Sequence, residues 1–457
     1  MKLVYDVKDK PKFGHLIVLA FQQLLAILAA TIVVPVIING NAGLTGDDAM
    51  SQSAALFGAG VGTIVYLLFT KFKSPVFLGS SFAFLPSMTA AFAGAVSAQA
   101  GYAGLIVGAL LAGLVYVVIA VVVKVAGVGW IDKLMPKQVI GPTVALIGLS
   151  LAGAAISDLQ TGKYYVDGAP SANPLIAILV GIITLFVVMI CSVYGKKTAK
   201  LIPFIIGILA GYAVASIFTV IGTAAGNDAL KLIDFSVFSG MKIFSVPSFT
   251  FLTAAKGIKE IDGSYFASVA MAYVPVAFVV FAEHIADHKN ISSIIEKDLL
   301  KDPGLHRTLL GDGVGSMAGA FFGGCPNTTY GESIGCVAIT GNASVVTILC
   351  TSVICLLMSF LNPFVVFLGS IPNCVMGGVC IALYGFIAVS GLKMVQKVDL
   401  EQNNNLFVVS TILITGIGGL ALTFGKDDKV ITITAIATAL ILGIIANLVL
   451  NKKSAKA

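Results

Sequence analysis

The sequence predicts an all-α polytopic membrane protein: fourteen transmembrane segments in a seven-plus-seven inverted repeat, with short extended breaks in segments 3 and 10. Three observations predict it. Of 457 residues, 58% are hydrophobic and 11% charged, with a mean hydropathy of +1.00; a soluble domain carries roughly 25% charged residues. Apolar runs of membrane-crossing length recur along the whole chain. The two halves also echo each other in a few short motifs.

Crossing about 30 Å of hydrocarbon takes about 20 apolar residues. Runs of this kind lie near 14–38, 51–70, 76–98, 102–124, 138–158, 174–194, 200–222, 263–288, 306–324, 328–341, 343–367, 371–392, 404–424 and 430–450. The first follows a polar, basic stretch and is too long for the apolar part of a cleavable signal peptide, so it is expected to remain as the first span. The third carries Gly79 and Pro86, and the tenth is too short for a regular crossing. Both are expected to be interrupted.

Charge sets the orientation, because cytoplasmic loops are enriched in Lys and Arg. With the N-terminus in the cytoplasm, fourteen spans place 21 of the 28 Lys and Arg residues on that side. The other seven are Lys163, Lys231, Lys242, Lys256, Lys259, Lys426 and Lys429, four of them in the long outer segment 223–262. An odd number of spans would scramble this bias, so both termini are expected in the cytoplasm and the protein in the cell membrane.

The repeat is read from three matches. Pro75 to Ser80 aligns with Pro326 to Gly331, Val139-Ile140-Gly141 with Val375-Met376-Gly377, and Gly195-Lys196 with Gly425-Lys426. They pair span n with span n+7, and an odd number of spans per copy inverts the second copy. Secondary transporters are commonly built this way, with the binding site where broken helices meet near the midplane.

Several functions are excluded. A net charge of +6 arises from short basic clusters without aromatic interleaving, so no nucleic-acid partner is expected. The seven cysteines (Cys191, Cys325, Cys336, Cys350, Cys355, Cys374 and Cys380) have no metal-ligand spacing and lie in or beside apolar runs, where they act as small packing residues. The sequence has neither a nucleophile–base pair nor a metal cluster, so no enzyme, metal or cofactor is expected. A channel needs a continuous polar pore, and the polar residues here are isolated.

Four acidic residues in or at the ends of predicted spans stand out: Glu283, Asp287, Asp312 and Glu332. A charge at the bilayer centre costs at least about 2.5 kcal/mol, so each is expected to face a partner, water or a substrate. Pro326 discourages a helix before it, so residues 326–330 should be extended, with a half-helix starting near Gly331. The unpaired amides of that half-helix attract carbonyl oxygens and anionic groups. Glu332 stands in its first turn, and Gly331 leaves room for a flat ligand. Gly79, Ser80, Ser81 and Phe82 at the third-span break are expected to serve alike, and the Phe82 side chain either stacks on a planar ring or packs in the core.

Glu283 and Asp287 share one helix face. Two buried carboxylates one turn apart repel, so one should take up a proton. His284 and His288 form the adjoining pair and could relay it, although His288 and His306 also read as residues of a solvated cytoplasmic loop.

These motifs carry a resemblance. Ala282-Glu283-His284, Lys297 to Leu300, Asp302 to Arg307, Pro326 to Gly335, Leu78 to Phe84 and Gln138 to Pro142 resemble the uracil permeases of the nucleobase–ascorbate transporter (nucleobase:cation symporter-2) family. The resemblance covers nearly the whole chain and is densest over 275–340. It implies a core domain of spans 1–4 (residues 1–125) and 8–11 (263–369). A gate domain follows, of spans 5–7 (126–222) and 12–14 (370–457), which supports a homodimer; 223–262 is an extracellular connection. It also implies that Glu283 and Glu332 hold the base, Phe82 packs on it, Gly331 donates an amide and Tyr330 lines the pocket. In one departure, Asp287 stands where typical uracil permeases carry histidine, as in purine-type relatives.

The implied function is proton-coupled uracil uptake by alternating access, with Asp287, His284 and Asp312 as the proton-coupling candidates and lipid as the surroundings. Uracil offers two ring N–H donors and two carbonyl acceptors in one plane, which suit carboxylates and helix-end amides. A purine or xanthine symporter of the same fold is the alternative. An anion exchanger would favour a cation at the half-helix ends, where this chain has Glu332.

Overall fold

The computed structural model describes residues 3–166, 169–196, 198–426 and 429–451. Its first half contains helices α1 Phe13–Ala42, α2 Gln52–Phe69, α3 Leu85–Ala93, α4 Ala98–Ala126, α5 Gly129–Leu134, α6 Lys137–Ser150, α7 Ala152–Asp158, α8 Pro174–Tyr194, α9 Thr198–Leu201 and α10 Pro203–Ala224. The remainder has α11 Thr250–Gly257, α12 Gly263–Ile295, α13 Leu305–Gly323, α14 Gly331–Thr340, α15 Val345–Met358, α16 Asn362–Ser370, α17 Asn373–Val395, α18 Asn403–Ile417 and α19 Ala435–Leu450. Three two-stranded antiparallel sheets join β1 Leu78–Ser80 to β4 Asn327–Thr329, β2 Tyr165–Val166 to β3 Ala169–Pro170, and β5 Leu422–Lys426 to β6 Lys429–Ile433. Among the described residues, eight helices are long and apolar enough to cross a membrane, with four shorter apolar ones beside them.

The helices pack in two groups. In one, α2 and α4 flank α13, α15 lies on α1 and α2, and α12 lies on α4. In the other, α6 lies on α17, α8 on α10 and α17, and α18 on α6 and α19. Helices in lipid associate through close contact at small residues, and both groups have such a seam. A Cβ on Gly58 of α2 would lie 2.4 Å from the Gly319 carbonyl oxygen of α13. One on Gly391 of α17 would lie 2.1 Å from the Ala145 amide of α6.

The structure differs from the expected spans at several places. The run 343–367 is two helices, α15 and α16, because Asn362 turns aside: its amide donates to the Ile243 carbonyl (2.9 Å) and its Nδ2 to the Lys242 carbonyl (2.9 Å). The adjoining ends of the runs 404–424 and 430–450 are strands, where β-branched residues favour a pleated ladder. The segment 223–262 includes a helix, α11, which packs against α4 and α13. Beyond its apolar run, α12 continues as helix to Ile295.

The N-terminal segment straps the ends of two helices together. Val4 donates its amide to the Gly341 carbonyl (2.8 Å), just past α14, and Ala343 and Val345 donate to the carbonyls of Tyr5 and Val7 (2.9 and 3.1 Å). Asp6 accepts from Lys297 Nζ (2.7 Å), just past α12. That hydrogen bond, with a second from the Val7 amide, holds the Asp6 carboxyl below the usual carboxylate range. A lowered carboxyl stabilises the fold above its unfolded value, and the contribution fades as pH falls through the lowered one. Both partners are half exposed, so solvent screening keeps the pair to about 0.2–1 kcal/mol. Lys297→Ala should therefore lower the melting temperature slightly at pH 7, with the difference from the parent narrowing below roughly pH 4; a thermal-shift series over pH measures it.

Candidate functional site

At the centre, β1 and β4 run antiparallel with Leu78 opposite Thr329, Gly79 opposite Thr328 and Ser80 opposite Asn327. The Tyr330 amide donates to the Phe77 carbonyl (3.1 Å) and the Ser81 amide to the Pro326 carbonyl (2.9 Å), extending the pairing at both ends. The strands begin three residues after Pro75 but directly after Pro326, so the two breaks align slightly differently from the motif match. Thr63 of α2 holds β1, accepting from the Leu78 amide at 2.9 Å. Asn327 holds β4 through its Nδ2, which donates to the Gly58 carbonyl at 3.1 Å.

Each strand leads into a half-helix. After β1 come a 3-10 turn, Phe82–Phe84, and α3; after β4 comes α14. Tyr330, the residue before α14, gives no side-chain cap. The Glu332 carboxyl turns back to its own amide, and the Gly331 amide borders the cavity. A Cβ built on Gly331 or on Gly335, one turn later, meets no atom within 4 Å.

This open face bounds a cavity of about 350 Å³ between the two helix groups. Glu332 and Gly331 line it from α14, Tyr330 from just before that helix, Glu283 and Asp287 from α12, and Phe82 from the first break. Glu283 and Asp287 fall on one side because they stand one turn apart on α12, which is helical from Gly263 to Ile295. Thr329 donates its hydroxyl to Asp287 Oδ2 at 2.6 Å, tying α12 to β4. Phe82 is edge-on to Tyr384 of α17 (5.8 Å between centroids), so it touches both helix groups.

Other expected residues lie elsewhere. Gly79 does not face the cavity: the Tyr330 ring covers it, 2.3 Å from where a Cβ would stand, and the Tyr330 hydroxyl donates to the Ser80 carbonyl (2.8 Å). Ser80 and Ser81 are buried and do not line the cavity, which Phe82 and Ala83 border from the first break. His284 and Asp312 are enclosed behind the cavity, with His284 Nδ1 2.7 Å from Asp312 Oδ2. They pair with each other and not with the ligand cavity. His288 is no loop residue but fully buried, because the helix carries it inward.

Sequence reasoning missed the opposite wall. Phe386, Ser390 and Met394 line it from α17, with Pro203 and Phe204 from α10 and Lys200 at the exposed rim. The four-residue spacing of Phe386, Ser390 and Met394 marks one helix face, though nothing separates it from a lipid-facing stripe. Among the described residues no cluster of three or more His, Cys, Asp or Glu side chains is placed to hold a metal. The site is thus a largely apolar cavity with carboxyls and a helix N-terminus on one side.

Comparison with known proteins agrees in scale. A family model described as a permease family (Xan_ur_permease) matches residues 14–424. The uracil permease of Bacillus caldolyticus is 38% identical over 451 residues, covering 98% of this chain and 95% of that protein. That of Bacillus subtilis (strain 168) is 36% identical over 455 residues, covering 98% and 95%. Among solved structures, the transmembrane domain of the cyanobacterial bicarbonate transporter BicA superposes with a TM-score of 0.61 at 15% identity, covering 97% of this chain and 100% of that one; it shares the fold alone.

Proposed function

The chain belongs to this permease family, and on that premise we propose that it takes up uracil or a related nucleobase together with a proton. As a permease, it is a membrane transporter and not an enzyme. The observation that carries the reading is the joint placement of Glu283 and Glu332 beside the amide end of α14, in one cavity of about 350 Å³. The carboxyls take the ring N–H groups, the Gly331 amide takes a carbonyl, Phe82 covers a ring face and Tyr330 closes the base of the slot. A buried site acceptor left unpaired by a wrong base costs about 1–3 kcal/mol, which supplies selectivity.

In this reading the fourteen apolar runs cross the cell membrane as two inverted sets of seven, both termini in the cytoplasm. A core of 1–125 and 263–369 moves against a gate of 126–222 and 370–457, which also forms a homodimer; 223–262 connects them outside. Lys200, at the rim of the slot, belongs to the Lys-rich side, so the slot opens towards the cytoplasm and the conformation is inward-facing. The transported proton rides on the cavity-facing carboxyls, Glu283 and Asp287. One charge crossing 100 mV supplies about 2.3 kcal/mol.

Proteoliposomes loaded at pH 7.5 and diluted to pH 6 should accumulate radiolabelled uracil well above the level reached without a gradient. Equal uptake in both conditions eliminates symport. A purine or xanthine cargo is the second reading, and Asp287 favours it: a carboxyl held by Thr329 replaces the histidine of typical uracil permeases. Competition by unlabelled xanthine that outranks uracil would reverse the order of the two readings.

A further inference from the structure

On the α12 face turned away from the cavity, His284 makes two close contacts. Its Nδ1 is 2.7 Å from Asp312 Oδ2, and its Nε2 is 2.9 Å from Thr308 Oγ1. All three side chains are buried. Thr308 Oγ1 also lies 3.0 Å from the Leu305 carbonyl oxygen, which can only accept. The single hydroxyl hydrogen of Thr308 goes there, so the Nε2–H of His284 must donate to Thr308 Oγ1. The short Nδ1–Oδ2 contact then needs a hydrogen of its own, on the ring or on the carboxyl.

We propose that His284 and Asp312 hold one resident proton between them, enclosed behind the cavity and not exchanged during transport. With it the pair has no net charge, whichever of the two bears the hydrogen. The competing arrangement turns the Thr308 hydroxyl towards Nε2 and leaves a bare carboxylate in the interior. No lysine or arginine is in ion-pair contact with it among the described residues. Around the pair stand Tyr116 of α4, Tyr66 of α2, His288 of α12, Ser316 of α13 and Asn327 of β4, and an uncompensated charge buried among them is strongly unfavourable. Glu283 and Asp287 are the nearest ionisable side chains on α12 towards the cavity, and they add negative charge.

His288 completes the account. Its ring stacks on that of His284 at 4.0 Å between centroids. Its Nδ1–H donates to the His284 carbonyl at 2.8 Å, and its Nε2 lies 2.7 Å from the Tyr66 hydroxyl, itself 2.6 Å from Ser74 Oγ. The Tyr66 hydroxyl donates its hydrogen to Ser74 Oγ, so the hydrogen of the His288–Tyr66 contact belongs to Nε2. A void of about 10 Å³ bounded by Asp312, Tyr116, Ser316 and Asn327 is large enough for one water. Asp312 Oδ1 and the Tyr116 hydroxyl, neither with a hydrogen-bond partner in the protein, border it. The two faces of α12 thus divide the work: exchangeable carboxyls towards the cavity, a sealed neutral pair towards α13. His284 and Asp312 are positioning residues, fixing the rotation of α12 and so the direction of Glu283 and Asp287.

The chain has four histidines, few enough for ¹⁵N-histidine magnetic resonance on the whole protein in lipid, assigned with a His284→Gln variant. His284 is expected to show a protonated Nε2 and a hydrogen shared at Nδ1, unchanged between pH 5.5 and 8.5. An unprotonated Nε2, or a signal that titrates in that window, overturns the proposal, and this readout holds whatever the cargo is. In the second arm, the double variant His284→Gln/Asp312→Asn removes the pair and its proton together. Its proton-to-uracil ratio should equal that of the parent; a lower ratio makes this proton part of the cargo and also overturns the proposal.

Discussion

Glu332→Gln is expected to weaken uracil binding by roughly 10- to 150-fold while leaving the melting temperature within about a degree of the parent. The size follows from the acceptor. A hydrogen bond to a charged partner contributes about 1.5–3 kcal/mol, and about 1.4 kcal/mol is tenfold in affinity. Glutamine keeps the shape but presents an amide, whose NH₂ faces a ring N–H donor to donor in one orientation and whose oxygen is a weaker acceptor in the other. Stability changes little because Glu332 borders the cavity and glutamine keeps its shape and an acceptor oxygen for the helix-end amide. Equilibrium binding of radiolabelled uracil to purified protein gives the affinity, and a thermal melt without ligand gives the control. Affinity within threefold of the parent removes Glu332 from the site. Weak binding accompanied by a large loss of stability assigns it a structural role instead.

The parts of this site that were readable in the sequence share a physical cause. Pro326 forbids helix and Gly331 allows a close approach, so a strand-to-helix break could be placed to within a residue or two of β4 and α14. The carboxyls stood out because charge is so costly in hydrocarbon that Glu283, Asp287 and Glu332 needed a reason to be there. What the sequence left unread has causes too. Hydropathy measures burial in apolar surroundings without distinguishing lipid from protein, so it ended the eighth span at its apolar run, although α12 continues as helix to Ile295 and buries His288. It also joined α15 to α16, where the Asn362 hydrogen bonds to Lys242 and Ile243 decide the break. The same blindness hid the α17 wall, since Phe386 and Met394 look alike facing a substrate or a lipid tail. Gly79 was misread for a related reason: a missing side chain marks a close approach without saying by what, and here the neighbour is the Tyr330 ring.

Gly331→Val should abolish uracil binding and uptake, to below a hundredth of the parent affinity, with the fold intact. At most positions the change would overpack the protein, at a cost of about 1–3 kcal/mol. Gly331 is different. Its Cβ position has no atom within 4 Å, and the helix begins there, so a branched side chain meets no preceding turn. The backbone needs no positive φ at this residue, because Gly331 is absent from the left-handed glycines of the chain. Valine therefore projects into the cavity alone. There it occupies the space in which a planar ring must lie to meet the first amides of α14, and it sets the ring back from both the Gly331 N–H and the Glu332 carboxyl. Losing the contacts of both groups removes more than either alone, which is why the expected effect exceeds that of Glu332→Gln. Gly331→Ala provides the graded comparison, with an intermediate loss. A thermal melt matching the parent, together with absent binding, places the substrate against this turn of helix. Normal uptake by the valine variant would put the substrate somewhere other than the slot between α12 and α14.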